Sequence, residues 1–82
     1  MKVTIHTAFE RLFEDQASEV VLPGEDGEFS VWDFHQPCLY SLRRGWLRVI
    51  PRRGSKENEY RLLIKRGVAK VDSRSLVIIA EK

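Results

Sequence analysis

The 82-residue chain has one cysteine, Cys38, so no disulfide can close within it. That scarcity fits a reducing compartment. No apolar run approaches the ~18 residues that a membrane-spanning helix needs. The start lacks the long apolar segment of a secretory signal and the Arg/Ser-rich character of an organellar leader, which favours a bacterial source. Any membrane association is therefore expected to pass through a partner. Helical periodicity is nearly absent as well. The one stretch that admits a helical turn, residues 33–40, contains Pro37, which limits it.

What is present is a small, strongly ionic globular chain. Apolar residues make up 43% and charged residues 32%, the latter above the ~25% of ordinary soluble domains. Eighty-two residues make one domain, 1–82, with a modest core. The net charge of +2 is too small to imply a nucleic-acid partner. Its distribution is uneven. Acids crowd between Glu10 and Asp33, whereas the dibasic pairs Arg43-Arg44, Arg52-Arg53 and Lys65-Arg66 lie in the second half.

Two-residue alternation dominates. In "KVTIHT" Val3 and Ile5 share one face and Thr4 and His6 the other. "ASEVVLPG" brings Val20, Val21 and Leu22 to a stop at Pro23-Gly24. "GEFSVW", "WLRVIP", "EYRLLIKRG", "GVAKVDS" and the β-branched "SLVIIAEK" follow. Breakers at Pro23-Gly24, Asp26-Gly27, Gly45, Gly54-Ser55, Gly67 and Asp72-Ser73 separate them. Short strands with turn signals about every ten residues predict an all-β fold, a small β-sandwich or flattened barrel of about eight to ten strands. Asp26-Gly27 marks a hairpin, because glycine accepts the positive φ of tight turns. The polar stretch "RRGSKENE", Arg52 to Glu59, reads as a mobile hairpin loop.

Several constellations invite a chemical reading. His35 and Cys38, with Asp33 nearby, suggest a thiol–imidazole nucleophile, but no Gly-rich oxyanion loop accompanies them. A histidine that steadies a turn and a small apolar cysteine is the preferred reading. His6, His35 and Cys38 lack zinc-ligand spacing. "PGEDGE" lacks the alternating oxygen ligands of a calcium loop. The dibasic pairs with Tyr40, Trp46 and Tyr60 allow a small basic β-barrel that binds nucleic acid. Against this, the aromatics sit mostly in alternating strands, where core packing explains them. No cofactor is expected.

Order and spacing along nearly the whole chain carry a further signal. "MKVTIHTAFERLFEDQASEVVLPGEDGEFSV" is followed by "DFHQPCLYSLRRGWLRV" and then "LLIKRGVAKVDSRSLVIIAEK". Together these resemble the N-terminal β-sandwich domain of the epsilon subunit of F-type rotary ATP synthases. The equivalent of the family's Gly-His-x-Pro-Leu-Leu signature keeps His35, Pro37 and Leu39. Leu42 and Gly45 match the Leu-x-Pro-Gly that follows. Phe34, Cys38, Arg44 and Lys65-Arg66 depart from the family pattern. Family members usually continue into a C-terminal helical hairpin, and this chain stops at Lys82, so the hairpin is expected to be absent.

The resemblance implies a non-catalytic rotor subunit of the central stalk. Such a subunit links the gamma subunit to the c-ring and couples ion transport to ATP synthesis. Its place would be peripheral, on the cytoplasmic face of the bacterial inner membrane, touching the membrane only through the c-ring. The turn Gly24, Glu25, Asp26, Gly27 and Glu28 corresponds to the ring-facing loop, with Glu28 at the contacting acid. His35, Pro37, Cys38, Leu39 and Leu42 correspond to the part that faces gamma.

Overall fold

The computed structural model describes residues 1–33, 36–52 and 59–82. Eight strands run through them: β1 (Lys2–His6), β2 (Arg11–Gly24), β3 (Gly27–Val31), β4 (Cys38–Leu42), β5 (Gly45–Pro51), β6 (Tyr60–Ile64), β7 (Arg66–Val71) and β8 (Ser75–Glu81). The alternation read from the sequence is the cause. Along β1, β7 and β8 every second side chain is buried and its neighbours face water.

β2 organises the molecule. Its first half pairs antiparallel with β1, and its second half pairs with β3 on one edge and β5 on the other. Register slips between Ala17 and Glu19, leaving Ser18 as a bulge residue. The Ser18 hydroxyl lies 3.3 Å from the carbonyl oxygen of Ile50 and 3.2 Å from that of Pro51. A bulge bends its strand, and this one lets β2 serve two layers. One layer runs β2-β1-β8-β7-β4, with β1 and β8 the one parallel pair described. The other runs β3-β2-β5-β6. A pairing of Gly24 with Leu42 joins β4 back to β2, so the sandwich is also a flattened barrel.

Between the layers lie Val3, Ile5, Val20, Leu22, Leu47, Val49, Leu76 and Ile78, all buried. Burying each such side chain contributes about 1.5–3 kcal/mol. Phe13 from one layer stacks on Tyr60 of the other at 4.7 Å between ring centroids. Phe29 and Tyr40 make a second contact at 4.5 Å.

β2 ends at Pro23-Gly24, as the breakers predict, with both residues as its last two. Pro23 is tolerated because its carbonyl points away from β3, towards the amide of Arg43 at 2.9 Å. The N–H that proline lacks would point the same way, past the end of the β5 pairing. Residues 38–40 are strand, not helical turn. Core packing accounts for Phe13, Phe29, Tyr40 and Tyr60, but not for Phe9, Trp32 and Trp46, which are exposed. Positions 53–58 of the expected mobile loop lie outside the described residues.

Candidate functional site

The antiparallel order sorts the connections to two ends of the sandwich. The β1–β2, β2–β3, β4–β5 and β6–β7 turns and the end of β8 share one end. The β3–β4, β5–β6 and β7–β8 connections share the other. Some acids of the first half and some bases of the second therefore share an end. Glu25 and Asp26 sit at the same end as Arg43, Arg44 and Lys65.

The acidic turn is made by its glycines. Gly24 pairs with Gly27, leaving Glu25 and Asp26 as an exposed two-residue tip. Gly27 has φ of +130°, which a side chain would strain. A Cβ on Gly24 would lie 2.7 Å from Cε1 of Phe29 and 2.8 Å from the Gly27 oxygen. The sequence "PGEDGE" thus folds into a stiff finger with its charges in water.

β4 lies against that finger. The Glu25 amide donates to the Ser41 carbonyl at 3.3 Å, and the Phe29–Tyr40 ring contact spans the two elements. Between them runs an open groove of about 400 Å³, bordered by Gly24–Phe29 and by Leu39–Ser41. The two segments singled out in the sequence are neighbours, not separate patches. β4 itself divides its residues. Cys38, Leu39 and Ser41 face water, Leu39 at 67% exposure, while Leu42 is buried. The Cys38 thiol donates to the Leu39 carbonyl at 3.5 Å, and its hydrogen bond with Tyr40 holds the phenol above its usual pKa.

Of the sequence-predicted site residues, Gly24 to Glu28 and Leu39 border this groove and Leu42 pairs with Gly24 beside it, while Cys38 begins β4 towards the other end. Pro37 is exposed near the opposite end, and His35 lies outside the described residues, as does any thiol–imidazole pair built on it. Leu42 cannot offer its side chain to a partner, because alternation turns it into the core. Among the described residues no group of three or more His, Cys, Asp or Glu could hold a metal. Arg43 and Arg44 are separated from Arg52, which sits at the other end. These bases do not form the continuous stripe that a nucleic-acid groove needs.

Sequence reasoning missed a charged network on the outer face of the β3-β2-β5-β6 layer. Arg48 on β5 reaches Glu28 at 3.4 Å and Glu59 at 3.4 Å, and Arg61 reaches Glu59 at 3.1 Å. The alternation "WLRVI" does place Arg48 outward, but its partners come from distant strands. Among the ion pairs away from the turn, two shift a carboxyl pKa. The Met1 amino group lies 2.6 Å from Asp33 and, by hydrogen bonding, holds that carboxyl below its ordinary value, with Arg52 and Arg74 adding to the effect. Arg66 lies 2.8 Å from Glu81 and lowers its pKa in the same way.

Comparison with known proteins places this architecture. The family described as "ATP synthase, Delta/Epsilon chain, beta-sandwich domain" matches residues 1–82. The ATP synthase epsilon chain of Rickettsia typhi is 37% identical over 82 residues, covering 99% of this chain and 73% of the relative. That of Rickettsia bellii is 45% identical over 49 residues, covering 60% of this chain. This chain spans 45% of the length of the R. bellii protein. A chain of the Tetrahymena thermophila mitochondrial ATP synthase central stalk and c-ring structure superposes with a TM-score of 0.82. That superposition has 17% identity and covers 99% of this chain and 63% of the other. At that identity the likeness speaks for the fold, and it is the same sandwich. The chain belongs to the ATP synthase delta/epsilon family, as its β-sandwich domain.

Proposed function

We propose that this chain acts as the rotor-side β-sandwich of an ATP synthase epsilon chain, joining the gamma subunit to the c-ring and making or breaking no covalent bond itself. The observation that carries the reading is the family match over all of residues 1–82. The c-ring and central stalk named for the Tetrahymena structure supply the expected partners. The acidic tip, Glu25, Asp26 and Glu28, is the ring-facing element. Exposed ion pairs are individually weak, so the turn would steer and register the contact more than bind it. Leu39, which points outward from β4, with the exposed Cys38 and Pro37 at the start of the strand, is the gamma-facing element, where apolar area supports a lasting interface. His35 belongs to the same segment in the family.

Torque transfer needs a body that does not yield. Paired ladders packed face to face at crystal-like density supply it. The direct contacts between the acidic turn and β4 join the two docking elements through a few bonds and one ring pair. In a bacterium this position is peripheral, at the cytoplasmic face of the inner membrane and held there by the c-ring. The test is co-purification: the tagged chain should bring down gamma and the c-ring from gently solubilised membranes. Recovery of the folded chain with neither partner would overturn the reading.

A further inference from the structure

The Glu28 carboxylate is not a free charge on a loop. It is 64% exposed, yet Oε1 lies 3.4 Å from Nη2 of Arg48. Arg48 is itself held from the other side. Its Nη1 meets Oε1 of Glu59 at 3.4 Å, and the Glu59 side chain is only 9% exposed and takes a second contact from Nε of Arg61. The line Arg61–Glu59–Arg48–Glu28 thus runs from β6 across β5 and over β2 to β3. In register Arg48 pairs with Val21, which in turn pairs with Ser30, two residues from Glu28 on the same face of β3. The arginine therefore has to cross β2 diagonally to reach the acid. Guanidinium suits this task, since its planar fork can serve two carboxylates at once.

We propose that Arg48 is a positioning residue for the docking acid. Anchored by Glu59, it holds one oxygen of Glu28 and leaves the other directed outward for a cationic group on the ring loop. This rests on the ring-facing reading of the Gly24–Glu28 turn. The four described members of the network, two positive and two negative, balance one another, so the tip keeps its acidity through its two other acids. Glu25 and Asp26 lie outside it. A long, exposed glutamate otherwise loses rotamer freedom on docking. Arg48 removes part of that loss beforehand, which is the general effect of preorganisation.

The test is a double-mutant cycle on docking. The whole chain in complex with gamma is titrated against purified, detergent-solubilised c-ring, and thermal unfolding of each variant is followed alongside. Arg48→Met keeps the apolar stem and removes the charge. It is expected to weaken ring docking about two- to fivefold, the range of an exposed ion pair. In a Glu28→Gln background the same change should have no effect. Arg48→Lys should bind more tightly than Arg48→Met. A role confined to packing would give the same loss in both backgrounds. That result, no loss at all, or tighter docking by Arg48→Met in a folded chain overturns the proposal. Failure of Glu28→Gln alone to weaken docking overturns the ring-facing reading itself, and the inference with it.

Discussion

The acidic turn and β4 touch each other, yet they solve the problem of presenting a surface in opposite ways. The turn is nearly all backbone. Two glycines fix its path, the closing pair is tight, and Glu25 and Asp26 are left in water with no packing task. β4 is an ordinary strand whose side chains alternate, so part of it belongs to the core and part is open to solvent. Tyr40 and Leu42 hold the sandwich together, while Leu39 and Ser41 on the other face are exposed; Cys38, on the Tyr40 side, is exposed because it begins the strand. Substitutions in the turn should therefore act on shape and charge. Those in β4 should act on stability or on binding, according to the parity of the position.

The largest effect is expected at the inward side of β4. Leu42→Ala should cost about 2–5 kcal/mol of stability in denaturant unfolding, because the core cannot fully close over the gap. A cost below 1 kcal/mol would remove the distinction drawn between the two sides of the strand. Gly24→Ala comes next, at about 1–3 kcal/mol, since the added methyl meets the Phe29 ring and the Gly27 carbonyl. Leu39→Asp sharpens the contrast with its neighbour Leu42. Unfolding should move by no more than about 0.5 kcal/mol, while pull-down of gamma should fall sharply. Glu28→Lys should leave the fold intact and weaken c-ring docking, more at low salt than at high salt. The smallest effect lies away from both elements. Arg66 holds the Glu81 carboxyl below its ordinary pKa. The stabilisation from that pair is present above the unfolded value of a glutamate and is lost as pH falls through the folded value. Unfolding curves of Arg66→Gln and the parent chain should differ slightly at neutral pH and converge in acid.

Much of this was legible in the residues. Alternation at Val3, Ile5, Leu76 and Ile78 predicts both the strands and the core, because period two is a local property of the chain. The "PGEDGE" turn is legible for the same reason: glycine at Gly27 announces the positive φ that is found there. What escaped depends on long-range placement. The inward turn of Leu42 depends on the register of β4 with β7 and on its pairing with Gly24. The exposure of Trp46 follows from an outward position in β5, opposite Leu63 of β6, that no element among the described residues covers. The link from Glu28 to Arg48 crosses a strand that lies between them, and no spacing along the chain encodes it.

The most direct test of the account places a cysteine on each docking element in turn. In a Cys38→Ser chain assembled with gamma and the c-ring, Asp26→Cys and Leu39→Cys would each be treated with a short photoreactive cross-linker and the captured subunit identified. The account predicts a c-subunit adduct from position 26 and a gamma adduct from position 39. Capture of the same subunit from both positions, or the reverse assignment, would contradict it.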